Sequence, residues 1–449
     1  MRIIAITIAT IACSATALCQ LSTLDSLLAS QADFIPPPDS LLSVYDAVVV
    51  GNEKTKAYIV LREMTLKEGQ PITAEAIEYD KKRIYSLGLF TRVEIGYIPV
   101  DSSRARLVVV VGERWYLYPF PIAGIKDRDW KKFYFGGGLT HQNFRGRNEK
   151  LYAAFTVGYD PTVIILYRNP LIDAENDYFL NVGLRWNVVR NRSLLAIGAG
   201  PNFDERHLGL SLDLGKRVDL AHTFWVSAGY EFVRVSEYLP GRTLSPGGSD
   251  EFLLVGAGYT YDTRDLAEYA MYGSFARATI IKYGVPGATV DFVRYAIDYR
   301  RFVPIQSRIT LAGRFFGDLV AGGPIPTYNR LYLGYGERVR GHFSEVVEGD
   351  EQLGVSAELR FMLFEPRYIT VGFIPMPEFA VWKFGVAAAI FGDAATVWFR
   401  NQPLALNGLA KGYGAGVHFI LPYGFVLRTE YALDELRRGE FILDFSAAF

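Results

Sequence analysis

From about Trp115 to the C-terminus, apolar and polar residues alternate in runs long enough to be strands. Leu180, Val182, Leu184, Trp186 and Val188 alternate with Asn181, Gly183, Arg185 and Asn187. Phe224, Val226, Ala228, Tyr230 and Phe232 form a second apolar face. Val293, Tyr295, Ile297 and Tyr299 stand opposite Arg294, Asp298 and Arg300, and Leu353, Val355, Ala357, Leu359, Phe361 and Leu363 stand opposite Ser356, Glu358 and Arg360. A period of two puts alternate residues of a strand on opposite faces of a sheet. Strands that are apolar on one face and charged on the other fit a lipid-facing barrel with a wet lumen. They fit a soluble sandwich equally well, because there the apolar faces meet inside.

The spacing of the runs separates the two. About 16 strands are expected, starting near residues 133, 149, 162, 177, 194, 207, 222, 251, 272, 291, 307, 353, 383, 413, 423 and 440. Connections after even strands read as tight: Asp160-Pro161, Arg190-Asn191-Arg192, Pro304-Ile305-Gln306 and Leu421-Pro422. Those after odd strands are mostly longer and polar. Short turns on one side and long loops on the other mark outer-membrane barrels. The segment Glu365 to Lys383 breaks the rule, which points to tall strands or an extended turn. The chain ends with Phe441, Leu443, Phe445, Ala447 and Phe449 on one face, an expected C-terminal insertion signal with a terminal aromatic. The longest loop, Val320 to Gln352, carries Val339-Arg340-Gly341. Loops of that length are usually functional or disordered. On pattern alone, Arg340 is either a solvated loop arginine or one that folds back into a barrel.

The N-terminal part reads differently. Arg2, the apolar run Ile3 to Ala12, and Ala17 and Cys19 before Gln20 have the layout of a cleaved secretory signal over residues 1–19. That run falls short of the roughly 20 apolar residues a membrane-spanning helix needs. Residues 20–44, with Pro36-Pro37-Pro38, read as a stiff linker. Residues 45–113 read as a small β-α-α-β-β unit, and residues 114–449 as the barrel. Ala47 to Val50 form a strand stopped by Gly51-Asn52, and Thr55 is placed to cap a short helix through Met64. Thr73 caps a second helix, with Glu75 in its first turn and Gly88 past its end. Strands Arg92 to Ile98 and Arg104 to Val111 follow. The fold class is therefore mainly β, a transmembrane antiparallel barrel behind one small α+β unit.

Composition narrows the chemistry. A chain of 449 residues exceeds one ordinary core, and a net charge of −1 provides no basic field for nucleic acid. The 28 Tyr and 30 Phe suit aromatic girdles at membrane interfaces. Both cysteines, Cys13 and Cys19, lie in the signal, so a mature chain carries no disulfide, thiolate nucleophile or cysteine metal site. His141, His207, His222, His342 and His418 show no metal-ligand spacing, and neither a nucleophile elbow nor a Walker loop is present. Asp262, Arg264 and Asp265 read as a turn stapled by ion pairs and not as a catalytic cluster. No enzyme activity and no cofactor are expected.

Several motifs occur in a fixed order. Gly51-Asn52, Lys54-Thr55-Lys56, Arg62-Glu63, Gly69, Tyr79-Asp80, Leu87-Gly88-Leu89-Phe90 and Val93 resemble a POTRA domain. Gly138-Leu139 with Asn143-Phe144-Arg145-Gly146, then Tyr261-Asp262-Thr263-Arg264-Asp265 with Gly273, then Val339-Arg340-Gly341 with Glu358-Leu359-Arg360 and Phe391-Gly392-Asp393, follow downstream. Together they resemble the BamA/TamA outer-membrane assembly-factor family over nearly the whole mature length. The resemblance implies a loop lock in which Arg340, beside Gly341, reaches into the lumen and pairs with Glu358 and Asp393. Strand parity independently allows both acids to face inward. It further implies that a POTRA edge strand, with Arg92, Val93, Glu94 and Ile95, takes client strands by β-augmentation. A weak seam, between strands near Phe133 to Thr140 and Glu440 to Phe449, would template insertion. The implied partners are unfolded outer-membrane or secreted proteins, outer-membrane lipids and accessory periplasmic or lipoprotein subunits, with the N-terminal domain in the periplasm. The alternatives are a passive or substrate-specific pore, or secretion of one dedicated partner. The chain departs from the family pattern at His342 and at Ala447, where aromatics are usual, and in having one POTRA unit.

Overall fold

The computed structural model describes residues 42–126, 129–173, 176–342, 345–370, 381–404, 408–421 and 425–444. The expected signal, most of the linker, and Phe445, Ala447 and Phe449 lie outside them. The N-terminal unit runs β1 (Ser43–Val50), α1 (Ala57–Leu61), α2 (Ala74–Ser86), β2 (Phe90–Pro99) and β3 (Arg104–Glu113), with sheet order β1-β3-β2. β1 is parallel to β3 and β2 antiparallel to it, so β2 is an edge. α2 begins where Thr73 Oγ1 accepts a hydrogen bond from Ala76 N, and ends before Gly88, whose φ is +73°. Its inner face packs Ile77 and Ile84 on Ile59, Ile72, Phe90 and Leu107. Thr55 has a different job from the one expected. α1 is capped at Lys56 without a side-chain bond, and Thr55 Oγ1 instead meets Tyr116 Oη and Asn143 Nδ2, both at 2.9 Å.

The second sheet has 16 strands. In order they are β4 (Leu117–Ile125), β5 (Phe133–Phe144), β6 (Glu149–Gly158), β7 (Thr162–Asp173), β8 (Tyr178–Arg190), β9 (Asp204–Arg217), β10 (His222–Val235), β11 (Ser249–Asp262), β12 (Gly273–Gly284), β13 (Asp291–Gln306) and β14 (Ile309–Gly322). A small hairpin, β15 (Leu331–Leu333) with β16 (Val347–Gly349), sits in the loop that follows. The sheet resumes with β17 (Glu351–Thr370), β18 (Val381–Trp398), β19 (Ala410–Ile420), β20 (Val426–Asp434) and β21 (Gly439–Asp444). All neighbours are antiparallel and sequential, except that β14 pairs β17 across the hairpin. Apolar side chains such as Leu208, Leu210, Leu212 and Leu214 are exposed outward, whereas Glu358, Arg360, Arg428 and Glu430 are buried. This is an inside-out protein, the arrangement of a barrel in lipid. Among the described residues, no helix is long and apolar enough to cross a membrane.

The strand total matches the expected one, but two assignments change. The apolar run at 194 is a helix, α3 (Leu194–Gly198), capped by Ser193. The first barrel strand is β4 and not the strand at Phe133; Pro119, Pro121 and Gly124 disguise it, because proline and glycine are normally depleted from strand interiors. The first connections therefore change sides. The turn at 159–161 falls on the long-loop side, and 191–203 is a loop there and not a tight turn. Pro304-Ile305-Gln306 ends β13 and is not itself a turn. β17 and β18 are tall, at 20 and 18 residues, which explains the irregular segment after Glu365.

The short turns face the N-terminal unit, which is bonded to them. Lys56 N donates to Gly146 O at 2.9 Å, Arg62 pairs with Asp177 at 2.8 Å, and Arg83 donates to Leu220 O at 3.2 Å. Glu63 is the hub. It accepts two bonds from Arg217, at 2.5 and 2.8 Å, and one from Arg83 at 3.1 Å. Burial pushes the Glu63 carboxyl up, but Arg217, with Arg83 and Arg62, outweighs it and holds the group below its usual range.

Candidate functional site

The loop after β14 turns back into the lumen, where Arg340 is buried. The seat is prepared by register. Ser356 pairs with Asp393 and Glu358 with Phe391, so Glu358 and Asp393 lie on one face of adjacent strands. On β19, Gly412, Gly414 and Gly416 recess the wall. A β-carbon on Gly412 would overlap the Arg340 carbonyl oxygen, and those of Gly414 and Gly416 would crowd the Phe391 ring and Glu430. Gly341 has φ +99°, open to glycine at little cost, and a β-carbon there would lie 2.9 Å from Leu433 O. Above the arginine, Val339 is buried with Phe316, Leu333, Ala395 and Val397.

Every nitrogen of the guanidinium is engaged. Nε and NH2 each reach Asp393 at 2.7 Å, a bidentate pair. NH1 donates to Glu358 at 2.8 Å and Glu430 at 3.1 Å, and the backbone N of Arg340 also donates to Asp393 at 3.2 Å. The cation lies 3.6 Å from the Phe391 ring centroid. Around it, Arg360 Nε donates to Glu358 at 2.7 Å and NH1 to Ala270 O at 2.7 Å. Arg428 lies 3.5 Å from Glu358 and 3.4 Å from Glu430. Three carboxylates thus meet three guanidiniums, and the buried cluster is charge-balanced. His418 joins it through Glu430 and Tyr269, both at 3.0 Å. Glu358, His418 and Glu430 have their ligand atoms within 4.8 Å of one another, as a metal site would. Their positive charge is already supplied by arginines, so the donor set favours an ion-pair cluster over a cation site.

The structure brings Arg340, Glu358 and Asp393, the residues the family resemblance singled out, together on the lumen side, and adds Glu430, Arg428 and His418, which the sequence reading did not name for this site. The available signal was parity on β20, where Arg428, Glu430 and Ala432 alternate with Leu427, Thr429 and Tyr431. Asp262 takes a bidentate bond from Arg264, as an ion-pair staple would, but Asp265 binds backbone amides of Met271 and Tyr272 instead. Phe441 and Leu443 point outward on β21. Arg92, Val93, Glu94 and Ile95 lie on edge strand β2, remote in sequence from this cluster.

His342 makes a second attachment. Nδ1 meets Glu345 at 2.9 Å, and Nε2 meets Glu435 at 2.7 Å and Lys411 O at 3.1 Å. Arg438 completes the group by donating to Glu345 at 2.7 Å. The loop is therefore tied to the turn between β20 and β21. Burial pushes the imidazole pKa down, but the bonds to Glu345 and Glu435 prevail and hold it above its usual value. A raised pKa contributes stability that is full below about pH 6.5 and is lost as pH rises through the folded value. Heat-modifiable gel mobility followed across that window should fall with rising pH in the native chain and stay flat in His342→Phe. Equal slopes in the two proteins would refute the assignment.

Comparison with known proteins places this architecture. BamA, an outer membrane protein assembly factor of Nitratidesulfovibrio vulgaris, is 23% identical over 412 residues, covering 88% of this chain and 49% of that protein. The chain thus spans about half the length of this curated relative. The crystal structure of BamA from Haemophilus ducreyi lacking POTRA domains 1-3 superposes with a TM-score of 0.53 at 17% identity, covering 90% of this chain and 83% of that one. CdiB from Escherichia coli gives 0.54 at 12% identity, covering 91% and 75%. At these identities the structural likeness is one of fold. A POTRA model, described as a surface antigen variable number repeat, matches residues 43–114. The model of the Omp85 superfamily domain matches residues 143–440, well over half of the sequence, and the chain belongs to that superfamily of outer-membrane barrels.

Proposed function

We propose that this chain inserts or translocates other proteins at the outer membrane, without enzymatic chemistry and without a cofactor. The POTRA unit lies in the periplasm and takes client strands on β2. The barrel's first and last strands form a seam at which client strands pair. Arg340, with Gly341, Glu358 and Asp393, acts as a clasp that keeps the long loop seated in the lumen. Phe441 and Leu443, with Phe445 and Phe449, form the chain's own insertion signal. Accessory periplasmic or lipoprotein subunits are compatible partners.

One observation carries this reading. A cleft of about 490 Å³ runs from the POTRA unit to the base of the barrel, and Val93 and Glu94 of the edge strand line it together with Tyr85, Tyr269, Tyr272 and Lys383. Val100 N donates to Arg104 O at 2.8 Å, which fixes the phase of the ladder. Val93 and Ile95 therefore turn their backbone groups to the free edge of the sheet, where an extended peptide adds as a strand. The side chain of Arg92 stands in solvent beside them. A passive pore has no use for such an edge, and the loop held by Arg340 lies across the conduit a pore would need.

A photo-crosslinker in place of Arg92 should capture unfolded outer-membrane or secreted proteins in cells. Depleting the chain should lower the levels of those same proteins. If solute uptake falls while their levels hold, the assembly reading fails and the pore gains.

A further inference from the structure

The free edge of the first barrel strand is short of donors. β4 reads Leu117-Tyr118-Pro119-Phe120-Pro121-Ile122-Ala123-Gly124-Ile125 and pairs with β5 in unbroken register. In an antiparallel ladder, successive residues turn their N–H and C=O groups alternately to one neighbour and to the other. The phase is fixed at both ends of this ladder. Gln142 N donates to Tyr116 O at 2.8 Å, and Lys126 N donates to Lys132 O at 3.0 Å. Even-numbered residues between those points therefore face β5. Leu117, Pro119, Pro121, Ala123 and Ile125 face the other edge, where no further strand pairs among the described residues. Proline has no N–H. That edge offers carbonyls at all of these positions and lacks donors at two successive ones, Pro119 and Pro121.

The strand behind is soft at the same level, with Phe120, Pro121 and Ile122 paired to Gly138, Gly137 and Gly136. The other margin of the sheet differs. Asp434 N donates to Arg438 O at 3.1 Å, so Gly439, Phe441 and Leu443 of β21 turn their backbone groups outward, and each has its N–H. A strand on β4 can thus donate to the carbonyls of residues 119 and 121, but its own carbonyls opposite them receive nothing. Inside a bilayer no water is present to satisfy such a group, so leaving it unpaired is costly.

We propose that Pro119 and Pro121 keep the seam exchangeable. With two successive donors deleted, neither the chain's last strand nor an extended client segment completes a two-way ladder on β4, so whatever pairs there also leaves. The statement about clients rests on the assembly reading above; the statement about the seam does not. Prolines also blunt sheet edges against stray pairing, a role that would leave the barrel's own closure unaffected.

The test uses the full chain folded in lipid vesicles. Pro119→Ala with Pro121→Ala restores both donors without bulk, and Pro119→Val with Pro121→Val restores them with a strong strand former. Hydrogen–deuterium exchange is read on peptides covering 117–125 and 439–444. The expected result is fast exchange at 439–444 in the native chain, slowed about tenfold or more in a folded variant, since two added bonds contribute about 1 kcal/mol each. Native protection at 439–444 equal to that of β10, or no slowing in either variant, would overturn the proposal. Client assembly is measured in parallel. Slowed exchange with undiminished assembly removes the statement about clients and leaves the seam assignment standing; no client assembly by the native chain, with exchange as expected, removes the assembly reading alone.

Discussion

Arg340→Ala is expected to destabilise the folded barrel by about 3–5 kcal/mol, the usual cost of removing one partner from a buried ion pair. The size follows from what stays behind. Asp393 loses both of its guanidinium bonds, Glu358 and Glu430 lose one each, and three carboxylates then face two guanidiniums in a buried space. Arg360 and Arg428 cannot move across to Asp393 without abandoning Glu358. The folded form on an unheated gel should convert at a lower temperature, and client assembly should drop with it. Asp393→Asn should act in the same direction, because a lone guanidinium is then stranded against an amide. Arg340→Lys should not rescue, since an ammonium cannot reproduce the bidentate fork. Wild-type conversion temperature and wild-type assembly in Arg340→Ala would end the clasp hypothesis.

Gly412→Val should unseat the same loop without changing any charge. The Arg340 carbonyl lies where the first carbon of a side chain at 412 would go, and both neighbours of that contact are backbone, so no flexible tip can yield. The loop must lift, and the ion pairs open as a consequence. Trypsin provides the readout. Arg340 is buried in the native chain, so cleavage after it should appear only in the variant, while the membrane-embedded strands remain protected. Resistance equal to the native chain would mean that the recessed wall of β19 is not what seats the loop.

These two experiments rest on features of unequal visibility in the sequence. Alternation allowed Glu358 and Asp393 to face the lumen, because the two-residue period of a strand is strict and puts Glu358 in phase with Ser356 and Arg360 and Asp393 opposite Ala388 and Ile390. Glu430 escaped notice although β20 obeys the same period, because its partner, Arg340, lies 90 residues upstream and nothing local links them. β4 was hidden by its prolines, which argue against a central strand and are admissible only at a sheet margin. α3 was mistaken for a strand because Leu194-Leu195-Ala196-Ile197 is an apolar run too short for periodicity to decide. Its Ser193 cap was the overlooked sign. The docking of the POTRA unit was not legible at all. Glu63 meets Arg217 across 154 positions, and an acid on a small domain advertises no particular basic turn.

That docking has a mechanical consequence. Asn143 and Gly146 at the first short turn, Asp177 at the second, and Arg217 and Leu220 around the third hold it by hydrogen bonds and ion pairs, while Tyr272, before β12, and Lys383, on β18, meet Lys82 and Tyr85 of α2 through cation–π contacts. The POTRA unit is therefore fastened by hydrogen bonds and ion pairs to the stretch of wall from β5 to β10 and rests more lightly on the far side. A load on β2 would apply torque chiefly through the bonded hairpins from β5 to β10. Glu63 is the bolt through which much of that torque passes, since one carboxylate holds arginines from both bodies.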